Sequence, residues 1–389
     1  MIRLLILPFI LCAVIYAKQT MSQKSYEALM EVQELIDKDK ISEAKVILNK
    51  LLEKKNEYTK SYAYQYLSNI ALGDGDYKEV SNYYEKIIEL NSFEKKSIDK
   101  IKESLAKIYL SLEDYDKTIK LSHELLKTPE IKKLGLYENL VYSYYYKKEF
   151  KKSIKYSNKY NTLSKDKKEN IYQILYSSYI ELKNHKKAIS TLEIMVKKWY
   201  DKQAYWLQLI SLYQETKQYK KALSTLELAY KEDILDPNKH TLFFANLLLQ
   251  NKLYKKGSET LEYGIKNGFI KEEQNIFELL IASYLNAKEY DKLIDKLENS
   301  KFADSAKLKK ILANLYYEKH DYKNAIKVLE KMHAKKHLDG NQSLILALAY
   351  FEIEDMNSCK INLQRALKDT KTKKRAKRIA KSLRINLDT

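Results

Sequence analysis

The stretch QYKKALSTLELAY (Gln218–Tyr230) puts Tyr219, Ala222, Leu226 and Ala229 three and four residues apart, with Lys and Glu between them. That spacing marks one face of an α-helix. The chain repeats the phrase as NHKKAISTLEIM (Asn184–Met195) and as DYKNAIKVLEKM (Asp321–Met332). Taking the Ala after the two Lys as an anchor, the equivalent positions are Ala44, Val80, Thr118, Ser153, Ala188, Ala222, Gly257, Leu293, Ala325 and Cys359, separated by 32 to 38 residues. All but Leu293 are small or no larger than Val, as required where two helices approach closely.

Three residues before each anchor stand mostly aromatic residues, among them Tyr77, Tyr115, Phe150, Tyr219 and Tyr322. Four after it stand residues such as Leu48, Leu192, Leu226, Leu261 and Leu329. A second apolar set lies upstream. Thirteen residues before the anchor come Leu67, Leu105, Leu140, Leu175, Leu209, Phe244, Leu280, Leu312 and Leu346. Nine before it come Tyr109, Tyr144, Tyr179, Tyr213, Tyr284, Tyr316 and Tyr350 in seven of the ten units. Each unit therefore reads as helix, short polar turn, helix. The tyrosines at these positions are expected to pack between helices with their hydroxyls at the edge of a groove. One hairpin buries too little apolar surface to offset its chain entropy, so stability has to come from stacking on neighbours.

Composition agrees. Only 7 Gly and 3 Pro occur in 389 residues, which points to helices joined by short loops. Pro129 and Pro237 are expected between units. The formal charge of +19 favours acidic partners or surfaces. Only Arg3, Arg365, Arg375, Arg378 and Arg384 among the 71 basic residues are Arg, so the excess is a lysine coat and not a base-reading site.

The sequence WLQLISLYQETKQYKKALSTLELAY carries Trp206, Leu209, Tyr213, Tyr219, Ala222, Leu226 and Ala229 at the spacings of the tetratricopeptide repeat, which residues 22–370 resemble. The resemblance implies an all-α, TPR-type α-solenoid, a right-handed superhelix of about ten hairpins. It departs from the family in lacking the usual Gly of the first helix and most of the closing prolines. Beyond it, residues 371–389 place Ala376, Ile379, Ala380, Leu383 and Leu387 on one stripe of an otherwise basic helix. Residues 371–389 are expected to form a capping helix over the last unit, with an anionic surface as a further possible contact.

At the other end, residues 1–17 have an early cation and an apolar run from Leu4 to Ala17, too short to span a bilayer comfortably. They read as a secretory signal peptide, with an uncleaved inner-membrane anchor facing the periplasm as the alternative. If Cys12 leaves with the signal, Cys359 is the only remaining thiol and no internal disulfide forms.

No reaction signature emerges. The stretch GDGD (Gly73–Asp76) reads as a turn, and HELLK at His123 lacks a second His. His333 and His337 are spaced to share a helical face, but no further ligand accompanies them. The expectation is a chain that is not an enzyme, without catalytic residues, cofactor, metal site or small-molecule substrate. In the repeat family the first helices line a groove that holds peptides or partner helices. Projected onto this sequence, the groove positions are Asn69, Tyr142, Tyr145, Gln173, Ser177, Ser211, Asn246, Lys310 and Asn314. Lys310 with Asn314 resembles part of a carboxylate-gripping pair, although Leu344 and Leu348 occupy the matching sites of the next unit.

A finer resemblance runs through MSQKSYEALMEVQELIDKDKISEAKVILNKLLEKK, IYQILYSSYIELKNHKKAISTLEIMVKKW, LEYGIKNGFI and KRAKRIAKSL. These are similar to periplasmic repeat proteins encoded beside TonB–ExbB–ExbD systems in Gram-negative bacteria. That similarity implies a noncatalytic periplasmic scaffold binding TonB, ExbB, ExbD or other envelope proteins in support of energy-coupled transport. The alternatives are another role in envelope, cell-wall or outer-membrane assembly and, as a minor one, nucleic-acid binding.

Overall fold

The computed structural model describes residues 20–302 and 304–387; among them are twenty-one α-helices and no strand. The signal peptide expected over residues 1–17, with Cys12, lies outside the described residues. The helices pair in sequence. In residues 1–199 the pairs are α1 (Gln23–Asp37) with α2 (Ile41–Leu52), α3 (Glu57–Gly73) with α4 (Tyr77–Leu90), α5 (Lys95–Ser111) with α6 (Tyr115–Leu125), α7 (Lys133–Tyr146) with α8 (Phe150–Leu163) and α9 (Glu169–Glu181) with α10 (His185–Lys198). A second compact unit, residues 200–389, holds α11 (Gln203–Glu215) with α12 (Tyr219–Lys231), α13 (Pro237–Gln250) with α14 (Tyr254–Lys266), α15 (Gln274–Ala287) with α16 (Tyr290–Asn299), α17 (Ala306–Glu318) with α18 (Tyr322–Ala334) and α19 (Gly340–Glu352) with α20 (Met356–Leu367). These ten helical hairpins follow one another along the chain, one to each sequence period.

The anchors lie where the spacing puts them. Ala44, Val80, Thr118, Ser153, Ala188, Ala222, Leu293, Ala325 and Cys359 are all fully buried, and Gly257 is buried in α14. The reason for small side chains is plain at Gly257, where an added Cβ would lie 2.4 Å from Leu249 Cδ2 on the facing helix. The residue three before each anchor proves to be the first residue of each second helix. Several are consequently exposed, Tyr77, Tyr219 and Met356 among them, rather than packed between helices.

All ten turns share one geometry. The residue five before the anchor adopts a left-handed conformation, at Asp39, Gly75, Glu113, Lys148, Lys183, Lys217, Lys252, Lys288, His320 and Glu354. Only one of the ten is glycine. The following amide reaches back to the carbonyl five residues earlier, as in Gln218 to Tyr213 at 2.7 Å and Asp321 to Tyr316 at 2.8 Å. This arrangement closes the first helix with its last carbonyls satisfied. In five hairpins the side chain that follows then caps the second helix: Asp76, Asp114, Asn184, Asp321 and Asp355 each accept from the amide three residues on. Pro237 falls not between units but at the first position of α13, where its missing N–H costs no helical bond.

Within each compact unit, adjacent hairpins are tied by five of the tyrosines nine before the anchor, Tyr109, Tyr144, Tyr284, Tyr316 and Tyr350. Their hydroxyls do not sit at a groove edge. They turn toward the preceding hairpin's second helix and meet the side chain five after its anchor. Tyr109 donates to Glu85, Tyr316 to Glu298, and Tyr350 to Glu330 at 3.0 Å. Tyr144 meets His123 at 2.9 Å, and Tyr284 lies beside Glu262. Burial, reinforced by the facing carboxylate, raises the Tyr109, Tyr316 and Tyr350 phenols above their ordinary range, Tyr350 to about 12.

The end of the stack is closed by α21 (Lys373–Ser382), which lies on α20. Its Ala376 and Ala380 are buried with Leu344, Ala347 and Leu363, and Ile379, Leu383 and Leu387 pack around them. Thr372 Oγ1 donates to the Ala366 carbonyl at 2.8 Å, and Asp369 accepts from the Gly340 amide at 3.1 Å.

Candidate protein-binding surface

Within each unit, successive first helices touch: α7 meets both α5 and α9, and α17 meets α19. Their outward positions form the surface anticipated for a partner. In residues 1–199, Asn69 on α3 and Gln173 on α9 are exposed, while Tyr142 and Tyr145 on α7 and Ser177 on α9 are half-buried. In residues 200–389, Ser211 on α11 is exposed, and Asn246 on α13 and Lys310 and Asn314 on α17 are half-buried. All nine thus lie on first helices, five in one compact unit and four in the other.

The structure surrounds these positions with tyrosines and ion pairs. The ring of Tyr145 packs edge-on against Phe150 and Tyr146 at 5.8 and 5.6 Å, and Tyr146 stacks on Tyr115 at 5.5 Å. The Tyr142 hydroxyl accepts from the Asn170 side chain of the next first helix. Burial, then the nearby Glu138 carboxylate, pushes its phenol up. Along the rim, charges cross from one hairpin to the next. Lys168 grips both oxygens of Glu138 at 2.8 Å, Lys307 meets Glu278 at 2.7 Å, and Lys310 meets Asp339 at 2.6 Å. These pairs are partly solvated and each contributes little to stability, but they fix which cations remain available.

Lys310 is therefore not poised for a carboxylate. Its ammonium is held by Asp339, which also accepts from the Asn341 and Gln342 amides as the N-cap of α19. Burial alone would raise the Asp339 carboxyl, but Lys310 and those amides hold it below its ordinary value. The Asn314 Oδ1 beside this helix face is buried without a hydrogen-bond partner among the described residues. Asp339 in the next unit, unremarked in the sequence, neutralises the pair. His333 and His337 do not share a helical face either. α18 ends at Ala334, Lys336 is left-handed, and His337 falls in the turn beyond. Among the described residues no group of three metal-binding side chains assembles.

No family model matches this chain, and no curated protein matches it in sequence. Among solved structures, it is similar to Naa15/Naa10 bound to HypK-THB, with a TM-score of 0.45 and 13% identity over 88% of this chain. The chain spans 57% of the length of that protein. It is also similar to a tetratricopeptide repeat protein from Parabacteroides merdae, with a TM-score of 0.39 and 14% identity over 67% of this chain and 99% of that one. The third is MamA from Desulfovibrio magneticus RS-1, with a TM-score of 0.37 and 14% identity over 44% of this chain and 94% of that one.

Proposed function

We propose that this chain is a noncatalytic scaffold whose first-helix face holds an extended protein segment. The observation that carries the reading is the α7–α9 surface. There Tyr142, Tyr145, Gln173 and Ser177 present rings, amide and hydroxyl outward from two touching helices whose apolar faces are already used in packing. Such a mixture suits a peptide, because the rings provide area at low entropic cost and the polar groups pair with main-chain amides. The residues converge on no reacting centre and suit a surface that binds without chemistry.

The finer reading is a periplasmic scaffold accessory to TonB-dependent transport, with TonB, ExbB or ExbD among its partners. Its support is the apolar N-terminal run and the resemblance of the sequence to repeat proteins of such systems. Photoreactive residues placed at Tyr145 and Asn246 in cells should yield adducts containing TonB or ExbD, and deletion of the gene should depress receptor-dependent uptake. Unlabelled positions together with normal uptake would refute this reading.

An anionic surface is a second contact, favoured by α21. Lys373, Lys374, Arg375, Lys377, Arg378 and Lys381 are all exposed, while the apolar stripe of that helix is buried against α20. The contact is electrostatic and not insertion. Co-sedimentation with anionic vesicles should vanish as salt rises.

A further inference from the structure

The tyrosine-to-glutamate tie between hairpins is interrupted once with its acidic half left in place. At Glu85 the complete arrangement has three parts. Glu85 Oε1 accepts from the Tyr109 hydroxyl and from Lys117 Nζ at 3.2 Å, and Lys117 lies 4.8 Å from the centre of the Tyr109 ring. The lysine one before the anchor takes the same place over its tyrosine at Lys152 with Tyr144 and at Lys221 with Tyr213. Between α12 and α14 two of the three parts recur. Glu227 stands five after its anchor, and Lys256, one before the next anchor, approaches it at 3.6 Å. The tyrosine does not recur: its place is taken by Leu248, which is buried. Where the tyrosine is lost at Ala71, the position opposite is Asn49 and the carboxylate is lost too. Glu227 is the one acidic member, among the described residues, retained opposite a side chain with nothing to donate.

The exchange leaves space. A cleft of about 270 Å³ opens there, lined by Glu227, Tyr230, Phe244, Leu248 and Lys256, with Glu259, Thr260 and Tyr263 along its outer side. Tyr230 does not supply the missing phenol, because its hydroxyl is engaged with Thr241 at 2.7 Å and its ring packs on Phe244 at 5.1 Å. Tyr263 on the outer wall is half exposed. The cleft therefore combines apolar and aromatic walls, a carboxylate acceptor and an ammonium beside it. Its charge is already balanced, since Lys231 and Lys256 both approach Glu227 at 3.6 Å and a second carboxylate, Glu259, lines the same cleft. A neutral donor fits better than a third cation.

We propose that the cleft between α12, α13 and α14 is a binding site for a tyrosine side chain presented by a partner protein segment, whose hydroxyl donates to Glu227 and whose ring lies under Lys256. The site is separate from the first-helix face and stands whether or not a peptide binds there. The partner completes from outside the contact that Tyr109, Tyr316 and Tyr350 make from within the chain.

The test uses the full chain and N-acetyl-L-tyrosinamide as probe, with the phenylalanine and lysine amides as controls, followed by saturation-transfer NMR. The tyrosine amide should bind roughly tenfold or more tighter than the phenylalanine amide, because only it donates to the carboxylate. Glu227→Gln should remove most of that preference, and Leu248→Tyr should abolish binding by filling the cleft from inside. Independently, Leu248→Tyr should raise Tm, and the gain should disappear in the Glu227→Gln background. Equal binding of the tyrosine and phenylalanine amides overturns the proposal, as does preferred binding of the lysine amide or undiminished binding to Leu248→Tyr. Should Leu248→Tyr fail to fold, the Glu227→Gln comparison alone decides.

Discussion

The α7–α8 and α11–α12 hairpins have the same turn, the same anchor spacing and nearly the same lengths, yet their interiors differ in kind. Between α11 and α12 the buried residues are Tyr205, Trp206, Leu209, Ile210, Leu212, Tyr213, Ala222, Leu223, Leu226 and Ala229, without a buried polar residue among them save the tyrosine and tryptophan heads. Between α7 and α8 the corresponding layer includes Asn139, Ser143, Ser153 and Ser157. Ser153 donates to the Val141 carbonyl at 3.0 Å. The Ser143 and Ser157 hydroxyls, the Asn139 Nδ2 and the Asn161 Oδ1 are buried with no hydrogen-bond partner among the described residues. An unpaired buried polar group costs ~1–3 kcal/mol, so the same backbone plan carries a well-filled hairpin in one place and a poorly satisfied one in another. Stability in a stack of repeats is a sum of local and neighbour terms. The α7–α8 hairpin thus carries the larger polar cost of the two, beside the Tyr142 and Tyr145 face proposed to receive a partner.

Substitution at the shared position four after the anchor separates the two hairpins most sharply. Leu226 is fully buried, and Leu226→Ala should cost about 2–5 kcal/mol in urea unfolding. At the equivalent Ser157, replacement by Ala removes an unpartnered hydroxyl and should leave stability unchanged or improve it by ~1 kcal/mol. Equal losses at the two sites would erase the distinction. Overfilling tests the packed hairpin from the other side: Ala222→Leu should cost about 1–3 kcal/mol, and an unchanged Tm would show that the helices do not close on that residue.

A smaller effect probes the ties between hairpins, which α17–α18 and α19–α20 share through Tyr350 and Glu330. The folded phenol of Tyr350 lies at about 12, above its unfolded value near 10. Its contribution to stability is therefore complete below pH 10 and lost as pH rises through the window from 10 to 12. Tyr350→Phe should flatten that alkaline loss while costing ~1 kcal/mol at neutral pH. Unaltered pH dependence would show the tie to be inconsequential. Smallest of all, Lys217→Gly at the left-handed turn position of α11–α12 should stabilise by ~0.5 kcal/mol, relief of backbone strain being partly offset by unfolded-chain entropy. A loss in thermal melts would count against the strained turn.

Much of this architecture was legible in the residues. The three-and-four spacing around Ala188, Ala222 and Ala325 selects helices, and its recurrence ten times over selects stacked hairpins, because period is a property of sequence alone. The buried anchors and the Ala376, Ala380 stripe of α21 follow from the same logic. The turns were legible only in length, since nine of the ten left-handed positions are filled by residues other than glycine. Their conformation comes from closing the preceding helix, not from local preference.

Other features belong to distances that no spacing encodes. The pairing of Lys310 with Asp339, the breaking of the His333–His337 face by the end of α18, and the reach of Tyr109, Tyr316 and Tyr350 to the preceding hairpin each depend on which helices are neighbours. The columns of Tyr nine before the anchor and Glu five after it could have suggested that last contact, but only when compared across adjacent units. Periodicity, a one-dimensional property, thus determined the repeating helical plan by itself. Tertiary structure alone decided which polar groups meet, which stay buried without a partner, and where a missing ring opens a cleft, because hydrogen bonds and packing are set over a few ångströms between residues far apart in the chain.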